Sequence, residues 1–324
     1  MKVGIDIALK KFDATVQDAQ GVKTHEVFEN NAKGFEHFVQ WLQGKGSEPA
    51  QLCMEATNVY WEALAEFLHG QGYAVSVVNP ARIAGHARSQ MRRNKTDKVD
   101  SEVICDFCAT QPLTLWTPPT RVQKQLRSLE RHRDDLEQTL TQQKNRLTTA
   151  REPWVRQSLQ RLIETLQDEM AQVDAQLKDL IAQTPDLTEQ FALLTSIPSV
   201  GPRTATKLMA EMYDLATYSD AAAAAADAGV SPAKHESGET VRKKTKLSKV
   251  GKAAVRKALY FPAMSAIRFN PFVRNLAQRL REKGKAEMVI IGAAMRKLLY
   301  LAYGVLKHKK PFDPHYMQPT SLPT

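Results

Sequence analysis

The first residues of the chain alternate. Apolar side chains recur at every second position, a period that predicts strands over 2–8 and 12–17 joined by a short polar turn. A third strand is expected over 24–28. From residue 32 the period lengthens, and Phe35, Phe38, Val39 and Leu42 fall on one face of a helix over 32–43. Beyond it the pattern predicts a buried strand over 51–56, a helix over 60–69 and a strand over 74–78 that stops at Asn79-Pro80. A helix then starts near Ala81. The basic stretch Arg92-Arg93-Asn94-Lys95 leads into another helix, which carries Asp97 and Asp100. Three early strands followed by alternating helices and strands describe an α/β domain with a mixed sheet.

Pro112, Pro118 and Pro119 mark a boundary. After it Leu126, Leu129, Arg133, Leu136, Leu140, Gln143 and Leu147 are spaced by three and four. Pro153 interrupts, and Leu159, Ile163, Leu166, Met170, Val173, Leu177 and Leu180 resume a heptad pattern. Two long helices with a break predict a helical hairpin or a dimerising coiled coil. A mainly helical last domain is expected from Pro185. In it, Ile197-Pro198-Ser199-Val200-Gly201-Pro202 reads as a helix-hairpin-helix-like turn offering backbone amides to phosphate, although a plain interhelical turn fits as well. The alanine run 221–226 reads as helix. The polar, basic segment 234–251 reads as a loop or hairpin, and from Ala253 the chain is helical to about Lys309. The expected domains are therefore 1–112, a coiled-coil segment 113–184, 185–312 and a tail 313–324.

Charge sharpens this division. The net charge is +10, yet residues 234–310 hold 20 Lys and Arg against Glu236, Glu239, Glu282 and Glu287, a local net of +16, so the remainder sums to −6. One region is suited to a polyanion. The three cysteines, Cys53, Cys105 and Cys108, give one C-x2-C inside a helical pattern and no second pair. They read as buried thiols in a reducing compartment rather than a zinc site. No signal peptide or bilayer-spanning apolar run is evident, which predicts a cytoplasmic protein with no membrane partner.

Four carboxylates stand out. Asp6 and Glu55 lie in apolar runs that read as buried strands, where a charge is costly unless it is paired or holds a cation. Asp97 and Asp100 are three apart at a helix start and face the same way. Taken singly, each has an ordinary structural role open to it, as a turn cap, an ion-pair partner or a complement to a helix dipole. Together they are the equipment for one or two Mg²⁺ ions, with Mn²⁺ as a substitute, and for cleavage of phosphodiesters. Ser237-Gly238, which precedes Arg242-Lys243-Lys244, reads from its spacing alone as an ordinary turn. A Ser hydroxyl is a weak nucleophile alone, but a basic loop can deliver it to a held phosphate. Leu247-Ser248-Lys249-Val250-Gly251-Lys252, then Arg256-Lys257, suits phosphate contacts or a surface helix cap. Tyr260, Tyr300 and Tyr303 read as core. The residues assigned to nucleic acid are Arg92, Arg93, Lys95, Arg242, Lys243, Lys244, Lys246, Lys249 and Lys252.

These motifs carry a family likeness. Gly4-Ile5-Asp6, Met54-Glu55-Ala56-Thr57, Asn94-Lys95-Thr96-Asp97-x-x-Asp100 and Glu236-Ser237-Gly238 resemble the DEDD recombinases of the insertion-sequence one-ten family of transposases. So do Ile197-Pro198-x-Val200-Gly201, Leu247-Ser248-Lys249-x-Gly251, Leu259-Tyr260-x-Pro262-Ala263 and Met295-Arg296-Lys297-Leu298. The resemblance implies a RuvC-like, RNase H-like N-terminal domain with Asp6, Glu55, Asp97 and Asp100 as Mg²⁺ ligands. It also implies a C-terminal transposase domain in which Ser237 is the nucleophile and forms a covalent phosphoserine link to DNA. Ser231 and Ser248 rank below it. His235 stands where an aromatic such as Tyr is expected. The implied partners are double-stranded donor and target DNA, a structured bridge RNA and further copies of the chain as a homodimer or homotetramer. The rival readings are a metal-dependent Holliday-junction-type endonuclease using water, and a non-catalytic nucleic-acid-binding protein.

Overall fold

The computed structural model describes residues 1–316 except 47–48, 92–95, 214, 238–240 and 249; along the rest of 233–246 it describes the backbone alone. The chain forms two compact units, Met1–Pro119 and Thr120–Thr324.

Unit 1 is α/β. Its strands β1 (Lys2–Ile7), β2 (Lys11–Gln17) and β3 (Lys23–Glu29) form an antiparallel meander. After helix α1 (Ala32–Gln43), strand β4 (Gln51–Glu55) pairs parallel to β1. After α2 (Glu62–Gly70), β5 (Ala74–Val78) pairs parallel to β4. The result is a mixed five-stranded sheet in the order β3-β2-β1-β4-β5. Helices make the two parallel returns, because parallel neighbours need a crossover. Helices α3 (Pro80–Ser89) and α4 (Asp97–Thr110) complete the unit.

Both faces of the central strands are covered. Val3, Ile5 and Ile7, with Phe12, Ala14, Leu52 and Met54, pack against Phe35, Phe38 and Leu42 of α1 and Leu64 and Leu68 of α2. Aromatic rings lock that layer: Phe12 lies 5.3 Å from Phe38 edge-on and 5.3 Å from Phe28 stacked. The opposite face carries the alternate residues Gly4, Asp6, Asp13, Thr15, Cys53 and Glu55, and α4 lies over it. Small side chains on α4 permit a close seat. Ser101 exchanges a 2.8 Å hydrogen bond with Thr15, while Cys105 and Cys108 donate to the carbonyls of Lys2 and Gln51. The three cysteines are thus buried free thiols between helix and sheet. At Gly4 a Cβ would fall 2.1 Å from the Cys105 amide nitrogen, so glycine is required by proximity.

Unit 2 is mainly helical. Helices α5 (Arg121–Thr149) and α6 (Pro153–Gln183) pair with each other as a hairpin, as their short connection dictates. Thr120 and Gln123 form a capping box at the start of α5, and Pro153 sits in the first turn of α6, where its missing amide is harmless. Leu140, Ile163 and Leu166 fill the hairpin. Nearer its base, Leu126, Val173, Leu177 and Ile181 join the main core. That core also takes in α7 (Pro185–Thr195), α8 (Pro202–Glu211), α9 (Ala221–Asp227), α10 (Ala253–Phe269), α11 (Pro271–Glu282) and α12 (Glu287–His308). A two-stranded antiparallel ribbon, β6 (Pro232–Ser237) and β7 (Val241–Leu247), occupies the basic segment, and the alanine run is α9.

Two sequence expectations change here. The helical stretch from Ala253 is three helices, broken where Asn270 caps Pro271 and again at Gly284, whose φ is +65°. By length and composition α12 is apolar enough to cross a bilayer, contrary to the expectation of no such run. Here it is a core helix, with Ile290, Ala294, Leu298 and Ala302 buried.

Gly4→Ala is expected to destabilise unit 1 by about 3 kcal/mol, because the new methyl meets backbone that cannot swing aside. Urea unfolding followed by circular dichroism checks this, and a change below about 1 kcal/mol contradicts the close seating of α4.

Candidate active site

Asp6 is the penultimate residue of β1 and Glu55 the last of β4. The register that pairs Ile5 with Met54 brings both to the same end of two parallel strands, the carboxyl end where open α/β sheets bind ligands. Both side chains are half-buried rather than sunk within the strands as the apolar runs suggested, because the chain turns away just beyond them. The Thr57 hydroxyl donates to Glu55 at 3.0 Å. Helix α4 supplies the other pair from its first turn, which Thr96 caps by accepting from the Val99 amide.

Electrostatics shows that the four share one region. Burial first, then the negative fields of Asp100, Glu55, Asp97 and Asp13, push the Asp6 carboxyl up to about 6. Asp97 is exposed, and the Lys11 ammonium, 2.8 Å away, holds its carboxyl below the usual range. Among the described residues no three His, Cys, Asp or Glu side chains stand close enough to grip an ion as placed. The donor set nevertheless fits a hard divalent cation: oxygen ligands only, with the proton affinity of Asp6 raised by burial and then by neighbouring negative charge.

Sequence reading missed Asp13. It is 5% exposed and lies directly across the β1–β2 ladder from Asp6. His25 Nε2 is 2.9 Å from it, and Lys11 is its other cationic neighbour at 3.4 Å. The available signal was the period of two, which sets residue 13 on the face opposite Phe12 and Ala14.

In unit 2, Ser237 is the last residue of β6 and pairs with Val241, at the turn end of the ribbon. Arg242, Lys243, Lys244 and Lys246 follow along β7. Gly238, Arg92, Arg93, Lys95 and Lys249 lie outside the described residues. The ribbon's base is anchored: the Ser248 amide donates to Ser231 at 2.9 Å, and Leu247 packs on Gly292. Lys252 forms a 3.0 Å ion pair with Asp227, and Arg256 donates to the carbonyls of Ala228 and Gly251. These two cations therefore have structural partners. In the turn between α7 and α8 the left-handed residue is Ser199 (φ +78°), while Gly201 caps α8 at an ordinary φ of −79°. Tyr260, Tyr300 and Tyr303 pack against the core as expected.

Comparison with known proteins now decides the family. A DEDD transposase profile of the IS110 kind matches residues 3–150, and one described as the transposase IS116/IS110/IS902 family matches residues 191–278. The pilin gene-inverting protein of Moraxella bovis is 32% identical over 315 residues, which cover 96% of this chain and 97% of that protein. The chain belongs to the IS110 family of transposases. The pilin gene-inverting protein of Moraxella lacunata is equally similar, at 32% over the same length. An uncharacterised protein of insertion element IS110 from Streptomyces coelicolor is 26% identical over 149 residues, 45% of this chain and 36% of that protein. An IS110-family transposase is an enzyme of DNA recombination. The first profile covers unit 1 from Val3 and the whole of α5, and the second includes the ribbon whose first strand ends in Ser237.

The Asp6 shift makes stability depend on pH. Its folded value of about 6 lies above the ordinary 3.8, so the folded state holds the proton more firmly. Without divalent metal, stability is therefore lost as pH rises from about 4 to about 6 and stays lost above. The loss is on the order of 1 kcal/mol once screening of a partly exposed group is allowed for. Asp6→Asn is expected to flatten this dependence and to abolish stabilisation by Mg²⁺ at pH 7.5. Thermal melts in chelator and in Mg²⁺ check both, and an unchanged Mg²⁺ response in the variant contradicts the assignment.

Proposed function

We propose that this IS110-family enzyme cuts and rejoins DNA through a covalent phosphoserine at Ser237, with Asp6, Glu55, Asp97 and Asp100 holding Mg²⁺ or Mn²⁺. One observation carries the reading: Asp6 and Glu55 stand at the carboxyl ends of the paired parallel strands β1 and β4, and α4, seated on the same face of the sheet, opens with Asp97 and Asp100. The mixed sheet with its three-stranded meander and two parallel returns supports reading unit 1 as RNase H-like and RuvC-like. Bound metal would polarise the scissile phosphate and stabilise charge on its oxygens.

The chain's own residues do the rest. Ser237, at the end of a ribbon whose second strand bears Arg242, Lys243, Lys244 and Lys246, attacks phosphorus. The hydroxyl gives up its proton to solvent as the serine–phosphate ester forms, the bond from phosphorus to one phosphodiester oxygen breaks, and that oxygen takes up a proton from solvent. The basic residues of the ribbon, with Arg92, Arg93, Lys95 and Lys249, hold the backbone, while Lys252, paired with Asp227, braces the ribbon's base. The turn between α7 and α8 adds a helix-hairpin-helix-like contact through the exposed Gly201. Religation reverses the first step on a different strand, so bond energy is kept and no nucleotide cofactor is needed. A structured bridge RNA pairs with donor and target DNA, and the acidic and serine half-sites come from different subunits of a dimer or tetramer held by the α5–α6 coiled-coil segment. This chemistry belongs to the cytoplasm.

The reaction class extends to inversion. Both near-full-length relatives are named for inverting a pilin gene, so rearrangement of a flanked segment in place is a second outcome of the same strand exchange.

Wild type, Ser237→Ala and Asp97→Ala are to be incubated with Mg²⁺, RNA from the element's flank and labelled junction DNA. Denaturing gels are expected to show protein covalently attached to DNA in wild type and at least a hundredfold less in either variant. Cleavage that survives Ser237→Ala without an adduct means that water attacks, and the protein is then a junction endonuclease.

A further inference from the structure

The motif Leu259-Tyr260-x-Pro262-Ala263 has no part in the chemistry above, and its middle position is unusual. Helix α10 buries Val255, Leu259, Ala263 and Ala266 in the core. Its outer face presents Lys257, Phe261, Met264 and Arg268, at steps of four, three and four, so all lie along one side. Phe261 is 74% exposed and Met264 43%. Lys257 and Arg268 have no carboxylate partner among the described residues, and α10 contains no acidic residue at all.

A cleft of about 550 Å³ opens beside this face, within the size range of small-ligand sites. Lys257 and Phe261 stand on its α10 side, and Asp134, Glu137, Gln138 and Thr141 of α5 and Thr204 of α8 are among the residues that complete the lining. The remaining cations, Arg203 and Lys207, are not available to a phosphate. Arg203 donates to Glu130 at 2.6 Å and to Asp134 at 2.9 Å, and Lys207 pairs with the same two carboxylates. The cleft therefore combines a neutral, braced floor, an exposed ring at the rim and hydrogen-bonding groups on the wall.

We propose that this cleft and the outer face of α10 bind an unpaired nucleotide of a single-stranded nucleic acid. The base stacks on Phe261, which accepts any base face. Glu137, which bonds Arg133 through one carboxylate oxygen at 3.3 Å, accepts from an exocyclic amino group and so favours adenine or cytosine over thymine or uracil. Lys257 and Arg268, about 16 Å apart along the helix, take phosphates further along the strand, beyond the two that flank the stacked nucleotide. A second copy of the chain is the poorer occupant. Two-fold pairing of α10 with itself sets its Arg and Lys residues against each other with no acid on either face.

The site deepens the DNA-recombinase reading and rests on it. The test uses the full-length protein and fluorescein-labelled 12-mers of dA, dT, rA and rU, with a duplex as reference, all at one salt concentration. Phe261→Ala is expected to weaken single-strand binding about tenfold and to leave duplex binding and the melting temperature unchanged. Phe261→Trp restores binding, and Glu137→Gln removes the preference for dA over dT. The DNA and RNA arms show which strand the site takes. Unchanged single-strand binding in Phe261→Ala overturns the proposal, as does wild type that binds duplex but no single strand. A Phe261→Ala variant that lowers the oligomer mass by light scattering, with its strand binding intact, assigns the face to a subunit contact and also overturns it. Wild type that binds neither form sinks the DNA-recombinase reading as well.

Discussion

The close seating of α4 on the sheet is the constraint on which the acidic site depends. A helix backbone approaches a strand this closely only where the strand lacks a side chain and the helix has small ones. Gly4 meets the first condition, and Ser101, Cys105 and Cys108 meet the second. The seat fixes where the first turn of α4 falls, and so where Asp97 and Asp100 lie relative to Asp6 and Glu55. Burial under the helix, and then the fields of the neighbouring carboxylates, raise the proton affinity of Asp6. Negative charge is crowded at one end of the sheet, the setting in which the proposed divalent cation would act.

Unit 2 relies on a different device. Glu130 is fully buried, and burial pushes its carboxyl up even with Arg203 and Lys207 beside it. Such a cluster gains little net stability, but it is strongly destabilised if one partner is removed. It pins α5 to α8 in one register, so the walls of the α10 cleft keep a defined spacing. At the base of the ribbon, Gly251 (φ +131°) sits so close to the Asp227 carbonyl that a Cβ would lie 2.1 Å from it. That turn aims the strand pair that ends near Ser237, while Lys252 and Arg256 tie its flanks to the core. Two of the basic residues in this region thus organise the loop that carries the others.

Local pattern in the chain was sufficient for most elements, because strand and helix periods are properties of neighbouring residues. The meander, α1, β5, the paired long helices and the ribbon all follow from it, as does the crowding of positive charge after residue 234. The candidate carboxylates were legible as charges out of place in apolar runs, and the family likeness followed from their motifs. What the pattern left out depends on packing between distant segments. Asp13 joins the acidic region only through the β1–β2 register, and its partner His25 only through β2–β3. The breaks at Asn270 and Gly284 divide one helical stretch into three helices, and packing buries one face of the apolar α12 in the core. Arg203 and Lys207, basic residues beside a turn suited to phosphate, are turned inward by carboxylates more than sixty residues away. Exposure of Phe261 likewise depends on which face of α10 the core claims. The sequence by itself determined the elements, the family and the candidate chemistry. Tertiary structure alone decided which charges meet, which are neutralised and which surfaces stay open, because those outcomes depend on distances between residues far apart in the chain.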